Sequence, residues 1–315
     1  MTTNVRTRTD TADPVRLPLD GSSSSPSFDG REIEWLHALF PEWTSYPFAA
    51  STLLGEVWVF VFVFALAFWF GDARRIAPLF GVVFGGLALV VVLKAAVALP
   101  RPPMAAMIPP ETAHDSVRPW YRWAIRADGY GFPSGHVAGA VLAWGSLATA
   151  LEAGTRRIRI GTAATLVLLV SLSRLVLGVH YLIDVIGGLA LGLLVLLAWQ
   201  VASRRLERPV RASLAAAVGC ASVPAAVGVG GSEPLYALGA MSGILTAWLL
   251  VVDPDRSLDV TPVGVVTAVV GIVVFLSVGA TVGSLLSGPV GSVTMTFAMG
   301  VTIVAWPTAV DSVLS

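Results

Sequence analysis

Three ionisable residues stand close together in the stretch SRLVLGVHYLID, residues 173–184, although long apolar runs flank it on both sides. They are Arg174, His180 and Asp184, and the last two are four residues apart, so they share a face if this segment is helical. An ionisable side chain inside an apolar membrane segment costs about 2.5 to 3.5 kcal/mol on insertion scales. This cost predicts that the three groups share a partner and a chemical task.

Other polar residues predict that this partner is a tetrahedral oxyanion. Lys94 and Arg101 are seven residues apart at the end of an apolar run, on one side if helical geometry persists between them. Together with Arg174 they supply three positive charges, and the arginine forks suit bidentate binding of an oxyanion. Ser134 and Gly135 open another apolar run, where free backbone N–H groups and the helix dipole favour the same ligand.

Two histidines could perform chemistry on such an anion. His180 can attack phosphorus if Asp184 accepts a hydrogen bond from its other ring nitrogen and so fixes the tautomer. His136 can give a proton to the departing oxygen. Because the sequence has no carboxylate cluster and no Cys/His spacing typical of a metal site, we expect neither a metal nor a cofactor. Glu56, at the outer end of the first apolar run, could approach the site, but an interfacial carboxylate is the favoured interpretation.

The composition is typical of a helical membrane protein. Of the 315 residues, 55% are hydrophobic and 13% are charged, and the mean hydropathy of +0.78 lies outside the soluble range. The apolar runs are near 20 residues long, and helices satisfy their own backbone groups in hydrocarbon, so we expect helical spans. The formal net charge of zero gives no indication of nucleic-acid binding.

These runs predict an all-α, polytopic membrane helical bundle with about nine transmembrane helices. Residues 1–30, rich in Ser, Thr, Asp and Pro, predict a disordered tail, and residues 31–50 predict an amphipathic interfacial helix. Residues 51–203 are then the catalytic core, and residues 204–315 are accessory transmembrane helices. The pairs Gly188–Gly192 and Gly239–Gly243 are typical of close helix packing. The nine runs are 51–70, 76–99, 133–152, 158–177, 180–202, 212–231, 234–252, 262–286 and 290–309.

The arginines of the short loops predict the orientation in the cell membrane. If the spans alternate, these arginines fall on one face, which the positive-inside rule makes cytoplasmic. The N-terminus and the charged cluster then lie on the extracytoplasmic side, and nine spans place the C-terminus in the cytoplasm. The arginines are Arg74, Arg75, Arg156, Arg157, Arg159, Arg204, Arg205, Arg208 and Arg211.

Three motifs in this order resemble the signatures of the type-two phosphatidate phosphatase superfamily. They are KAAVALPRP at 94–102, PSGH at 133–136, and SRLVLGVHYLID at 173–184, which follow the patterns K-x6-RP, PSGH and SR-x5-H-x3-D. The resemblance implies that His180 is the nucleophile, Asp184 its orienter and His136 the acid. It implies that the phosphate ligands are Lys94, Arg101, Ser134, Gly135 and Arg174. Glucose-6-phosphatase and the vanadium haloperoxidases share this superfamily.

The resemblance implies a metal-independent membrane phosphatase that forms a phosphohistidine intermediate, and the distribution of the short-loop arginines predicts that it acts at the outer membrane face. We expect the substrate to be a lipid phosphate or a polyprenyl pyrophosphate, because a site at interface depth can admit a headgroup from the side. A soluble sugar phosphate is the nearest alternative. A lipid phosphotransferase would keep every motif, and a non-catalytic anion transporter could use the same basic residues without chemistry. Membrane lipids are the expected surroundings, and the sequence does not indicate an oligomeric state.

Overall fold

A computed structural model describes residues 30–103 and 106–314, so the predicted disordered tail lies outside the described residues except for Gly30. The described part is helical and contains no strand. The helices are α1 (Arg31–Leu39), α2 (Ser45–Thr52), α3 (Val57–Phe70), α4 (Ala73–Val97), α5 (Arg118–Ala124), α6 (Gly135–Ala150), α7 (Arg156–Val176), α8 (Leu182–Ser203), α9 (Pro209–Ala226), α10 (Glu233–Leu250), α11 (Pro262–Leu285) and α12 (Gly288–Leu314).

The all-α membrane bundle is confirmed, but the count of nine spans is not. Each predicted run contains one helix. Among the described residues, six helices are long and apolar enough to cross a membrane: α4, α7, α8, α9, α11 and α12. A seventh span is possible if residues 42–70 cross as one segment, bent by 53° ahead of α3. The 16-residue α6 is shorter than the roughly 20 residues that a bilayer requires, and α10 is not among the six.

Helix α4 is the central helix of the bundle. Of the 18 residues in the apolar stretch of α4, 72% are buried, whereas 28% are buried in the corresponding stretches of α7 and α8. Helices α3, α6 and α9 pack around it, and its glycines allow close approach: a Cβ at Gly85 would lie 3.3 Å from the Cα of Ala217 in α9. The side chains of Phe60, Phe64 and Phe68 in α3 complete this core. The buried part of α4 ends at Val90, one turn before Lys94.

Small residues bring α8 close to α6, as the Gly188–Gly192 pair predicts. A Cβ on Gly188 would lie 2.7 Å from the carbonyl oxygen of Ser134, and one on Gly192 would lie 2.7 Å from the Cβ of Val141. This close approach lets the backbone N–H of Ser134 donate to the carbonyl of Asp184 at 2.9 Å. The starts of α6 and α8 are thereby joined.

The region predicted as one interfacial helix, residues 31–50, contains two helices separated by Pro41. Helix α1 buries Ile33 and Leu36, and its exposed Trp35 suits the membrane interface. Helix α2 packs against α7. The two helices therefore cover the end of α7 where Arg174 lies.

The last four helices pack onto the first part of the chain instead of standing apart from it. Helix α9 lies against α4, and α10 joins α9 to α12. Gly243 of α10 lies against the backbone of Phe297 in α12, so this second glycine pair also serves helix packing. The end of α3 is hydrogen-bonded to the last part of the chain. The buried indole of Trp69 donates to the carbonyl of Ile303 at 2.6 Å, and the N–H of Leu258 donates to the Trp69 carbonyl at 2.6 Å.

Candidate active site

His180 and Asp184 form a buried pair at the junction between α7 and α8. His180 Nδ1 lies 3.1 Å from Asp184 Oδ2, and each side chain is 1% exposed. The same carboxylate oxygen accepts the backbone N–H of Tyr181 at 3.0 Å. The start of α8 therefore fixes the carboxylate, and the carboxylate fixes the imidazole.

Arg101 determines the roles of the two ring nitrogens of His180. Its Nη1 lies 3.1 Å from His180 Nε2, and a guanidinium carries only donors. Nε2 must therefore accept, which leaves the ring proton on Nδ1 for the hydrogen bond to Asp184. This is the tautomer that aims an unprotonated nitrogen at an electrophile.

The surroundings of His180 keep this imidazole neutral. Burial lowers its pKa well below the ordinary value, and the positive charges of Arg174, Arg101 and Lys94 lower it further. His136 acts in the same direction. Four sequence-predicted site residues thus lie near enough to influence His180 electrostatically.

Two buried donors near the pair have no partner within the described protein. They are Ser134 Oγ and Arg174 Nε, on side chains that are 0% and 1% exposed. Arg174 Nη1 donates to Thr52 Oγ1 at 3.1 Å and to the Ala124 carbonyl at 3.3 Å, so the guanidinium is held from α2 and α5. Because an unpaired buried donor is unfavourable, both groups suit an anionic ligand.

Lys94 and Arg101 reach the site by a different route from the predicted continuous helix. Helix α4 ends at Val97, and Ala98 adopts a left-handed conformation with φ of 53°, so the chain turns before Arg101. Lys94 Nζ donates to the carbonyl of Tyr130 at 2.7 Å. Arg101 donates to the carbonyls of residues 128, 129 and 179 at 3.0 to 3.1 Å. An arriving phosphate would have to exchange some of these contacts.

His136 has a carboxylate partner, Glu56, that is not among the eight predicted site residues. Its Nε2 lies 2.8 Å from Glu56 Oε1, and the two side chains are 28% and 21% exposed. Glu56 stands at the bend before α3, where Gly55 packs so closely that a Cβ would lie 3.1 Å from the His136 Cβ. This contact favours the alternative in which Glu56 approaches the site. A usable signal was present, since Glu56 is the only charged residue between Glu42 and Asp72.

The structure brings all eight predicted site residues to one end of the bundle, and it adds Glu56. Gly135 begins α6 directly after Ser134, and a Cβ at Gly135 would meet only Val90 Cγ1, at 3.7 Å. Among the described residues, no group of three His, Cys, Asp or Glu side chains could hold a metal ion. The catalytic roles of these residues remain predictions.

Residues 75–207 match the family model of the PAP2 superfamily. The matched segment includes the three motifs and runs from the first turn of α4 through the end of α8. Among curated proteins and solved structures, none matches this chain significantly. The family match supports a phosphatase that acts on phosphate esters.

Proposed function

On the premise that this chain belongs to the PAP2 superfamily, we propose that it hydrolyses a lipid phosphate or polyprenyl pyrophosphate through a phosphohistidine, without a metal. One observation carries the proposal: His180 is held with Nδ1 against Asp184 and Nε2 against Arg101. The imidazole is thereby a neutral nucleophile beside a basic, anion-binding surface. Three basic side chains supply the positive charge that a metal would otherwise contribute.

In the first step, the lone pair of His180 Nε2 attacks phosphorus, and the bond from phosphorus to the leaving oxygen breaks. A phosphate oxygen takes over the Arg101 donor that contacts Nε2 beforehand. His136 gives its proton to the leaving oxygen, which departs as an alcohol or as a protonated phosphate. Asp184 stabilises the positive charge on the phosphorylated imidazole.

In the second step, water attacks the phosphohistidine and the P–N bond breaks. His136, now unprotonated, accepts a proton from the water, so the acid of the first step is the base of the second. The electron pair of the P–N bond returns to Nε2. Inorganic phosphate leaves, and both histidines regain their starting protonation states.

Glu56 positions His136 for both steps. The carboxylate holds Nε2 at 2.8 Å, which leaves Nδ1 as the nitrogen available to the leaving oxygen. Burial and the charge of Arg174 hold the pKa of His136 below its ordinary value, and Glu56 opposes this shift. A bound phosphate anion would oppose it further, which favours the imidazolium that acts as the acid. The Glu56–His136 pair thus parallels the pair that orients His180.

The position of the site favours a lipid substrate over a sugar phosphate. The site lies at helix ends, at the level of α1 with its exposed Trp35 and of the exposed Trp43, and these side chains suit the headgroup layer. The short-loop arginines, from Arg74 to Arg211, lie at the opposite helix ends. This arrangement supports an extracytoplasmic site in the cell membrane.

A phosphoenzyme experiment tests the mechanism. Purified protein would be mixed with a ³²P-labelled lipid phosphate, quenched in alkali and compared with His180→Asn. We expect an acid-labile, alkali-stable phosphoprotein in the unaltered protein, none in the variant, and phosphate release that EDTA does not affect. Full activity in His180→Asn or a strict metal requirement would refute the mechanism.

A substrate panel separates the alternatives. Release of free phosphate from polyprenyl pyrophosphate or phosphatidate, with little from glucose phosphate, supports the lipid assignment. Transfer of label to a second lipid would instead indicate a phosphotransferase. Anion flux that persists in His180→Asn without any hydrolysis would indicate a transporter.

A further inference from the structure

A groove of about 910 Å³ lies between α7 and α8, and α6 forms its floor. Its walls are mainly apolar and include Ala163, Val167, Leu193 and Leu197. Leu193 and Leu197 are 50% and 56% exposed, so the groove opens sideways, toward what would be the bilayer. It is separate from the candidate active site, since none of the eight predicted residues nor Glu56 lines it.

One end of this groove is strongly basic. Arg156 and Arg159 from the start of α7, and Arg204 after the end of α8, line it together. Arg159 is partly engaged, because its Nε and Nη1 donate to the carbonyls of Ala148 and Gly154. Within the described residues, no carboxylate forms an ion pair with Arg156 or Arg204. Two guanidinium groups are therefore available to an anion there.

The basic end lies on the opposite side of the bundle from the active site. Helix α7 runs from Arg156 to Val176, and at 1.5 Å per residue its 21 residues span about 31 Å, the thickness of a hydrocarbon core. Arg174 occupies the end near the site, and Arg156 occupies the other end. A headgroup bound by Arg156 therefore could not reach His180.

We propose that this groove binds one anionic diacyl phospholipid from the leaflet opposite the active site. The arginine forks match a phosphodiester, and basic pockets between transmembrane helices suit anionic headgroups. The apolar walls between α7 and α8 match acyl chains. A phosphatase substrate is a different ligand, because its phosphate must meet His180 on the other side.

The bound lipid would fill the space between two helices that contact each other little along their lengths. Helices α7 and α8 each pack closely on α6, whereas their direct contacts are few. The junction between them carries His180. A lipid in the groove therefore stabilises the helix pair that presents the nucleophile, without touching the substrate.

Adjacent arginines supply a matched pair of double variants. Arg156→Gln/Arg204→Gln removes the groove charges, and Arg157→Gln/Arg205→Gln removes the same charge from neighbouring positions that do not line the groove. Delipidated protein would be titrated with phosphatidylglycerol or phosphatidylcholine, and bound lipid would be counted by native mass spectrometry. We expect one tightly bound phosphatidylglycerol in the unaltered protein, affinity about tenfold or more weaker in the groove variant, and little change in the control.

A groove-filling variant tests the apolar part independently. Ala164 lines the groove, and Ala164→Phe should weaken retention of phosphatidylglycerol although every arginine remains. This variant also tests the proposal if the arginine variant does not fold. Equal weakening in both arginine variants, or equal binding of the two lipids, would overturn the proposal. If the unaltered protein were a dimer and the groove variant a monomer, the proposal would also be overturned, because a second copy of the chain would then be the occupant of the groove. Phosphohistidine formation is measured separately, so either proposal can fail alone.

Discussion

The two histidine–carboxylate pairs of the candidate site are similar in chemistry but differ in how the chain builds them. His180 and Asp184 are one helical turn apart, and each side chain is 1% exposed. Glu56 and His136 are 80 residues apart, and their side chains are 21% and 28% exposed. The first pair is set by local geometry and sealed from solvent, whereas the second depends on helix packing and stays partly accessible.

This difference suggests a division of tasks between the pairs. A nucleophile must stay neutral and keep one tautomer, which burial and a local carboxylate both enforce. An acid that later acts as a base must exchange protons with the leaving group and with water. Partial exposure of His136 is compatible with that exchange.

Asp184→Asn should lower kcat by roughly 10³- to 10⁴-fold, because an amide in this position no longer enforces the Nδ1–H tautomer. Phosphoenzyme formation in a rapid-quench assay is the measurement. The labelled intermediate should form slowly, with little change in the affinity for vanadate. If kcat fell less than about tenfold, the buried pair would not orient the nucleophile.

Glu56→Gln should lower kcat by roughly 10- to 100-fold, as expected for a group that acts through another side chain. The loss should be larger for an alkyl phosphate than for p-nitrophenyl phosphate, because only the poorer leaving group needs the proton from His136. A merely structural role would lower both rates equally. Glu42→Gln, an exposed carboxylate of the same segment, is the control and should retain full activity.

Ser134→Ala tests the hydroxyl of the residue that lies between the two pairs. The backbone N–H of Ser134, which donates to the backbone carbonyl of Asp184, is unaffected, and the residue directly precedes the helix of His136. We expect vanadate to bind about tenfold more weakly, because a hydrogen bond to a charged ligand is lost. Thermal stability should be unchanged or slightly higher, because the buried Oγ has no protein partner to lose. Ser146→Ala is a matched control: its Oγ, farther along α6, is also buried without a partner, so vanadate affinity should stay the same.

Short-range spacing predicted the His180–Asp184 pair, and the three motifs predicted which other residues would join it. The sequence did not reveal the contact between Glu56 and His136, because it depends on the bend before α3 and on the close packing of Gly55. It also did not reveal that Arg101 contacts His180 Nε2. That contact requires the chain to turn at Ala98 after α4 ends, whereas the spacing suggested a continuous helix.

The hydropathy pattern located the helices but did not determine how many cross the membrane. Every apolar run contains a helix, yet α6 has 16 residues and α3 has 14. A helix surrounded by others needs neither full length nor a continuous apolar surface, since its neighbours provide its environment. Burial of this kind depends on tertiary packing and is invisible in a window of sequence.

Two hydrogen bonds at Trp69 join α3 to the part of the chain beyond the predicted boundary near residue 203. The indole N–H of Trp69 donates to the carbonyl of Ile303, and the backbone carbonyl of Trp69 accepts a hydrogen bond from the N–H of Leu258. In a chain truncated at residue 203, the buried Trp69 would lose both of these hydrogen-bond partners. Aromatic side chains of α3 would also become exposed. We therefore expect the segment that carries the three motifs to be less stable when it is expressed without the helices that follow it.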